Sequence, residues 1–527
     1  MSQHFLLLLE LEQQLKSYLI IPFFFSILSF FLALFLISKL RSSTSPTTQK
    51  RPPPSPPKLP VIGNLHQLGL DPHLSLRSLA ECHGPLMLLR FGGMPVLVVS
   101  SAAAAREIMR THDAVFSNRP ETAIGRRLLY GRKDVVLAPH GEHWRQMRSI
   151  SVLHLLNNKM VESFCSVRNE EVGFLVEKIK KASPSPVNLS EMFVSFTSDL
   201  ICRAALGRKY IEGEEGARKF RELFREFVEL FDGFNVGDYI PWLAWVNKVN
   251  GFDAKVEKVF REFDSFLNGV IEEHVDRQKS AGKDSGRAKE DDDGSRKDFV
   301  DVLLSIQRDK NSGFQIDSDG IKALVLDAFA GGTDTSFTTL EWAMSELIKH
   351  PRAMNQVQNE ARRIASGKSY ITDDGLDKMH YLKAVIKETL RLHPPAPLLV
   401  PRESTQDVKV NGYDISAGTM VITNAWAIGR DPASWEAPEE FRPERFLNSS
   451  VDFKGQDYEL IPFGAGRRGC PGISFAVAAV GVALANLVYR FDWSLPGGVK
   501  GEDLDMTERS GVTIHRKFPL LAVATSK

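Results

Sequence analysis

Hydrophobic and polar positions divide the chain into stretches of very different pattern. Tyr18 to Ser38 reads YLIIPFFFSILSFFLALFLIS, twenty-one residues without a charge, enough for a helix to cross a hydrocarbon core about 30 Å thick. The run is longer than the roughly 7–15 apolar residues of a secretory signal and has no small-residue cleavage site, so a retained transmembrane anchor is expected at 18–38. Next comes RPPPSPPKLP, Arg51 to Pro60. Its prolines remove donors and fix φ, which predicts a stiff extended spacer closing a basic, proline-rich linker at 39–60. From Val61 onward the period is mostly helical, with strand-like runs at Leu86–Val99, at Val408–Ile422 and after Val512. A single mainly α domain with small β-sheets over 61–527 fits this pattern, and no repeat is visible. Two helices stand out: Asp317–His350, with Asp317 or Ser318 as cap and Pro351 as stop, and Pro471–Tyr489. Between a helix ending near Arg277 and one starting near Asp298, Lys279–Lys297 (KSAGKDSGRAKEDDDGSRK) is charged and almost free of apolar residues, which predicts a disordered surface loop.

Charge orients this arrangement. Glu10, Glu12 and Lys16 precede the apolar run, whereas Lys39, Arg41, Lys50 and Arg51 follow it. The positive-inside rule then places residues 1–17 in the lumen and everything after the anchor in the cytosol. Over 527 residues the formal net charge is only +1, so no excess of one sign points to nucleic acid. Cys82, Cys165, Cys202 and Cys470 are far apart and form no C-x-x-C pair, which indicates neither a zinc site nor a disulfide framework.

The candidate chemistry gathers at PFGAGRRGCPG, Pro462 to Gly472. Gly464, Gly466 and Gly469 spell G-x-G-x-x-G between a strand-like YELI and a long apolar helix, as in a dinucleotide-binding turn, and Asp492 lies about where a ribose-binding acid would sit. Context argues against that reading: no further strand–helix–strand unit follows Asp492, and Arg467 and Arg468 would obstruct a pyrophosphate. For a lone cysteine such as Cys470 the plain alternative is a small buried hydrophobe. However, Phe463, Gly466, Arg468, Cys470 and Gly472 match F-x-x-G-x-R-x-C-x-G, and the loop resembles the haem-binding loop of the cytochrome P450 family. The resemblance implies that Cys470 is the axial thiolate of haem iron, that Phe463 belongs to the haem-binding loop and that Arg468 meets a haem propionate. One departure is Gly481 in the following helix, where similar plant proteins usually carry Glu; a mid-helix glycine costs about 1 kcal/mol.

Three further motifs agree with the resemblance, and each has a plainer reading alone. Gly331 and Gly332 stand in the middle of the Asp317–His350 helix, where glycine is costly unless it serves close packing. Followed by TDTS, they resemble the family's oxygen-binding groove, with Thr335 and Asp334 as the catalytic hydroxyl and acid that guide protons. Glu388 and Arg391 in KETLRLHPP would alone suggest a surface pair worth about 0.2–0.5 kcal/mol. With Arg445 of FRPERF they resemble the family's structural Glu-Arg-Arg trio. Trp144 and Arg148 at i, i+4 in HGEHWRQMR, and Arg402 in LLVPRES, are implied propionate contacts. PPSPPKLPVIGNLHQLG extends the likeness to the plant microsomal A-type group.

The resemblance therefore implies a haem b monooxygenase of the endoplasmic reticulum membrane, single-pass, with a cytosolic catalytic domain. It would be fed electrons from NADPH by NADPH–cytochrome P450 reductase and would act on an apolar small molecule of plant specialised metabolism. Two other readings stand beside it: a dehydratase or isomerase of the same fold, acting for example on an aldoxime, and a non-enzymatic haem sensor. Expected pocket walls are Ala328, Gly331, Ala396–Val400, Thr122–Leu129 and Val512. Asp327 reads either as a solvated or capped acid or as a contact for a polar substrate group. Arg145 and Arg467 are expected to meet the reductase.

Overall fold

The computed structural model describes residues 51–526, apart from 210–214, 234, 284–296, 310, 312, 314 and 510, together with positions 26, 29, 30 and 33. The anchor expected at 18–38 otherwise lies outside the described residues, as does most of the loop expected at 279–297. The helix before that loop runs Phe252–Lys283, past the expected end near Arg277. The proline-rich stretch is extended, as its composition requires, but it does not stand free. Pro53 and Pro56 are buried, and the Pro54 carbonyl accepts from the N–H of Leu88 at 2.8 Å.

Two helices form the centre. The glycine helix, Ser318–Lys349, is capped by the Asp317 side chain, which accepts from the N–H of Gly320 at 2.8 Å, and Pro351 starts the next helix at once. Its sequence is apolar on more than one side because it is surrounded: Leu324, Phe329, Leu340, Trp342 and Leu347 are all buried. The cysteine helix, Ile473–Arg490, is apolar and long enough to cross a membrane, yet it is a core helix, with Val482 to Val488 buried throughout. Gly481 is buried there as well. A Cβ at this position would lie 3.3 Å from Leu376 Cδ1, so the glycine admits the short helix Asp373–Leu376.

The β-structure is small and split. Leu86–Phe91 and Met94–Val99 form an antiparallel hairpin, Met420–Thr423 joins it in parallel with Val98 opposite Ile422, and Arg402–Glu403 completes the sheet. The run expected as strand over Val408–Ile422 divides at Asn411-Gly412. Both residues have positive φ (50° and 79°), the signature of a tight two-residue turn, and Val408–Val410 folds back on Tyr413–Ile415. His515–Arg516 pairs with Glu508–Arg509, and Leu521–Ser526 lies between Pro186–Asn188 and Phe491–Ser494.

Candidate active site

The cysteine loop is shaped by glycine. Gly464 and Gly466 have φ of 67° and 66°, and a Cβ on Gly466 would sit 2.4 Å from the Met109 carbonyl oxygen. Only glycine lets the loop press this closely on residues 109–113. The N–H of Cys470 donates to the Phe463 carbonyl at 2.9 Å, and that of Gly472 donates to Cys470 Sγ at 3.3 Å. Sγ is accessible but ringed by protein. Burial pushes the thiol pKa up, while the Gly472 N–H and the Arg148 guanidinium pull it down. A thiolate here has one amide donor and one cation nearby, and a bound metal ion would add the positive charge that favours ionisation.

Across from the loop, the glycine helix separates two roles. A Cβ on Gly331 would meet nothing within 4 Å, whereas one on Gly332 would lie 2.4 Å from Ile201 Cδ1. Gly331 therefore opens space, and Gly332 allows the helix Leu189–Leu206 to approach. Thr335 Oγ1 donates to the Gly331 carbonyl at 2.6 Å, which places its hydroxyl on the open side. Thr335 and Thr339 share a small cavity with Phe463, Ala476 and Val480, so the hydroxyl and the base of the cysteine helix face a common space. Asp334 Oδ1 lies 3.4 Å from His515 Nε2.

A cluster of arginines lies beside the loop. Arg468 donates to the carbonyls of Ser117, Val135 and Ala138 at 2.8, 3.2 and 2.6 Å, and its guanidinium stacks 4.2 Å above the Trp144 ring. Burial, followed by the charge of Arg402, brings the Arg468 pKa down to about 9. Such crowding of positive charge suits a dianionic ligand edge. The indole N–H of Trp144 is committed to the Val135 carbonyl at 3.1 Å, so Trp144 supports Arg468 from below. Arg148, half-buried on the same helix, has its pKa lowered by burial and raised by Cys470. Arg402 is engaged otherwise: it donates to Asp113 at 2.9 Å and to the Ala465 carbonyl at 2.5 Å, tying the sheet edge to the cysteine loop. The thiol of Cys470 and the guanidinium donors of Arg468 and Arg148 fit a haem whose iron Cys470 would hold and whose acidic edge the two arginines would meet.

The Glu-Arg-Arg trio is no surface pair. Glu388 and Arg391 are 0% and 1% exposed and meet through two bonds of 2.8 and 2.7 Å; Arg445 Nε donates to Glu388 at 3.0 Å. Arg391 also donates to the carbonyls of Gly429, Pro438 and Glu440, fastening the coil that leads to the cysteine loop.

Of the expected pocket walls, Gly331 opens to free space. Thr122 and Ala123 instead line a surface-open cavity with Arg126, Gly237 and Asp238, while Ile124, Leu128 and Leu129 turn into the core. Asp327 is half-buried and accepts the N–H of Val135 at 2.7 Å. Burial, then the neighbouring Asp134, raises its pKa well above the usual carboxylate range. It caps the loop that carries the Arg468 and Trp144 acceptors.

Sequence reasoning passed over Asp113 and Arg119. Asp113 holds Arg402 and Arg467, and Arg119 donates to Val136, Val400 and Pro401, closing the segment before Arg402. No spacing or periodicity in THDAVFSNRP marks these roles, because Arg402, Arg467, Val400 and Pro401 all lie more than 280 residues from their partners.

The profile of the family described as Cytochrome P450 matches residues 53–522. The chain belongs to the cytochrome P450 family. Cytochrome P450 736A117 of Prunus mume is 56% identical over 507 residues, which are 95% of this chain and 96% of that one. Norfluorocurarine oxidase of a Strychnos species is 52% identical, with 95% and 97% of the two chains covered. Among solved structures, a zebrafish cytochrome P450 with abiraterone superposes with a TM-score of 0.73 at 26% identity, over 87% of this chain and 100% of the other. The P450 is thus a haem b monooxygenase of a plant group, of a family that uses NADPH electrons delivered by a reductase.

Proposed function

We propose that this P450 is an anchored enzyme of the endoplasmic reticulum membrane that oxidises an apolar small molecule of plant specialised metabolism, with electrons from NADPH–cytochrome P450 reductase. The observation that carries the reading is the open position at Gly331 beside the Thr335 hydroxyl, facing the space shared with the cysteine helix. Haem supplies the activation of O2. Cys470 would hold its iron, and Arg468 and Arg148 would hold its acidic edge, with Trp144 beneath Arg468 and Arg402 bracing the loop. Gly331 leaves room for a small ligand, and Thr335 and Asp334 hold the protons the reaction consumes. The apolar wall of Phe463, Ala476 and Val480 limits water.

The surface supports an anchored enzyme. Trp242, Trp245 and Val249 are 60%, 59% and 77% exposed, and this segment adjoins the Gly92–Gly93 turn, where Gly93 donates to the Tyr239 carbonyl. Exposed Leu59 and Ile62 lie at the N-terminal side of the same turn, Gly63 bridging to Phe91. Tryptophan suits a membrane–water interface. Protease added to sealed microsomes should digest residues after 51; protection until detergent is added reverses the topology. For the reductase, Arg145 and Arg467 are exposed on the cysteine side. They lower the His140 pKa, after burial and Arg468, and so share one positive surface. Charge reversal at both should slow reduction and flatten its salt dependence.

The deciding experiment screens the purified holoenzyme for substrate-induced haem spectral shifts against terpenoids, phenolics and aldoximes, then measures NADPH, O2 and product together. One product oxygen from O2 per NADPH supports the reading. Turnover without NADPH or O2 consumption makes the chain a dehydratase or isomerase.

A further inference from the structure

His515 lies in the short strand His515–Arg516, far along the chain from the glycine helix, yet it closes on that helix at three points. Its ring stacks on Phe337 with centroids 4.9 Å apart and planes at 15°. Nδ1 is 2.7 Å from Thr338 Oγ1, and Nε2 is 3.4 Å from Asp334 Oδ1. The strand is itself pinned, because the indole N–H of Trp342 donates to the Ile514 carbonyl at 2.9 Å and the N–H of Ile514 donates to Pro395 at 2.9 Å.

The hydrogen bonds fix where protons sit. Thr338 has one hydroxyl hydrogen, and it is directed to the Asp334 carbonyl at 2.8 Å. Thr338 Oγ1 must then accept from His515, so Nδ1 carries a hydrogen. A neutral ring in that tautomer would turn the Nε2 lone pair toward a carboxylate oxygen. The contact is favourable only if one further proton lies between Nε2 and Oδ1, either as an imidazolium–carboxylate pair or as an imidazole facing a carboxylic acid. Other charges around His515 are Glu341, about two turns beyond Asp334 along the glycine helix, whose carboxyl feels the His515 charge, Arg509 opposite it in the strand pair, and Arg516 beside it. Both side chains of the pair remain in touch with solvent, at 17% for Asp334 and 20% for His515.

We propose that Asp334 and His515 form a dyad holding one exchangeable proton behind the Gly331–Thr335 groove, with Thr338 fixing the imidazole tautomer. The dyad's proton passes from His515 Nε2 to Asp334 and from Asp334 to the groove, leaving a neutral imidazole beside a carboxylate, and Nε2 is then reprotonated from solvent at its accessible edge. No oxidant or reductant enters this exchange. His515 is a positioning residue, acting through Asp334, and the role rests on the monooxygenase reading above.

The test uses the full-length holoenzyme, Asp334→Asn, His515→Asn and the double variant, with His515→Gln as a second substitution if Asn lowers yield. Thermal unfolding of the four proteins gives a double-mutant cycle that reads the pair without turnover. Reductase-supported reduction of O2 then needs no substrate: two electrons and two protons give peroxide, and four of each give water. We expect a non-zero cycle. Each single variant should raise peroxide per O2 severalfold, the double no further, and the difference from wild type should shrink as pH falls and bulk protons replace the relay. A cycle of zero overturns the pairing whatever the activity. A non-zero cycle with unchanged peroxide share and pH profile overturns the proton role. No O2 uptake in wild type with reductase overturns the monooxygenase reading, leaving the cycle to judge the pair.

Discussion

Asp113 accepts from Arg402 with one carboxylate oxygen at 2.9 Å and from the backbone N–H of Arg467 with the other at 3.0 Å. This buried carboxylate joins the small sheet to the cysteine loop, and Gly466 must be glycine because a Cβ would lie 2.6 Å from Asp113 Oδ1. Removing it strands Arg402, which is buried with no other acidic partner among the described ion pairs. Asp113→Ala should cost about 3–5 kcal/mol and lower haem content. Arg467→Ala, which removes an arginine with 53% side-chain exposure, should cost less than about 1 kcal/mol. Chemical denaturation of both variants, with haem quantified per protein, checks the contrast; equal losses would remove the bracing role of Asp113.

Adjacent glycines should fail in opposite ways. Gly332→Ala drives a methyl to within 2.4 Å of Ile201 Cδ1 and should destabilise by about 1–3 kcal/mol, with partial recovery when Ile201→Val is added. Gly331→Ala meets no atom within 4 Å, so helix propensity should make it neutral or more stable by up to about 1 kcal/mol. It should nevertheless slow O2 consumption by filling the groove. Melting curves beside oxygen-electrode rates separate the two; a destabilised, fully active Gly331→Ala would contradict the assignment.

These contrasts show how far the residues spoke for themselves. The glycine helix and the cysteine helix were legible because periodicity, caps and flanking prolines are local signals, and the split at Asn411-Gly412 followed a turn whose chemistry is also local. Which glycine opens the groove was not legible, since that depends on Ile201, more than a hundred residues away. The Glu388–Arg391 pair looked like a surface pair by spacing; only Gly429, Pro438 and Glu440 folding over it made it a buried anchor. Asp113, Arg119 and His515 carry no motif, because their meaning lies entirely in tertiary partners.

Thr335 offers a cleaner probe of proton handling than its neighbours. Its hydroxyl bonds the Gly331 carbonyl at 2.6 Å, and Thr335→Val keeps the volume while removing that group. Haem content and substrate-induced spectra should stay as in wild type, and product per NADPH should fall by about 10–100-fold as peroxide rises. Wild-type coupling in the variant would reduce Thr335 to a helix residue beside the groove.

Stability should also depend on pH through Glu346. This buried carboxylate lies 2.6 Å from His393 Nε2 and 3.1 Å from His350 Nδ1, and the His393 ring stacks flat on Trp342 at 4.1 Å. Burial works against its ionisation, but hydrogen bonds from His350 and His393 outweigh it and hold the Glu346 pKa at about 2. A depressed carboxylate pKa gives stability that is full above the unfolded value near 4.5 and is lost as pH falls toward 2. His350 is shifted the other way, its pKa raised chiefly by the Glu346 side chain, with burial opposing. Its share is full below about 6.5 and is lost as pH rises through the folded value. The two windows overlap between about pH 4.5 and 6.5, where the network contributes most, on the order of 3 kcal/mol from Glu346. Glu346→Gln should therefore lie furthest below wild type in that interval, and the gap should narrow on the alkaline side as His350 loses its charge. Denaturant midpoints from pH 4.5 to 8.5 measure the difference directly. A gap independent of pH would mean that Glu346 acts by packing rather than through its two histidines.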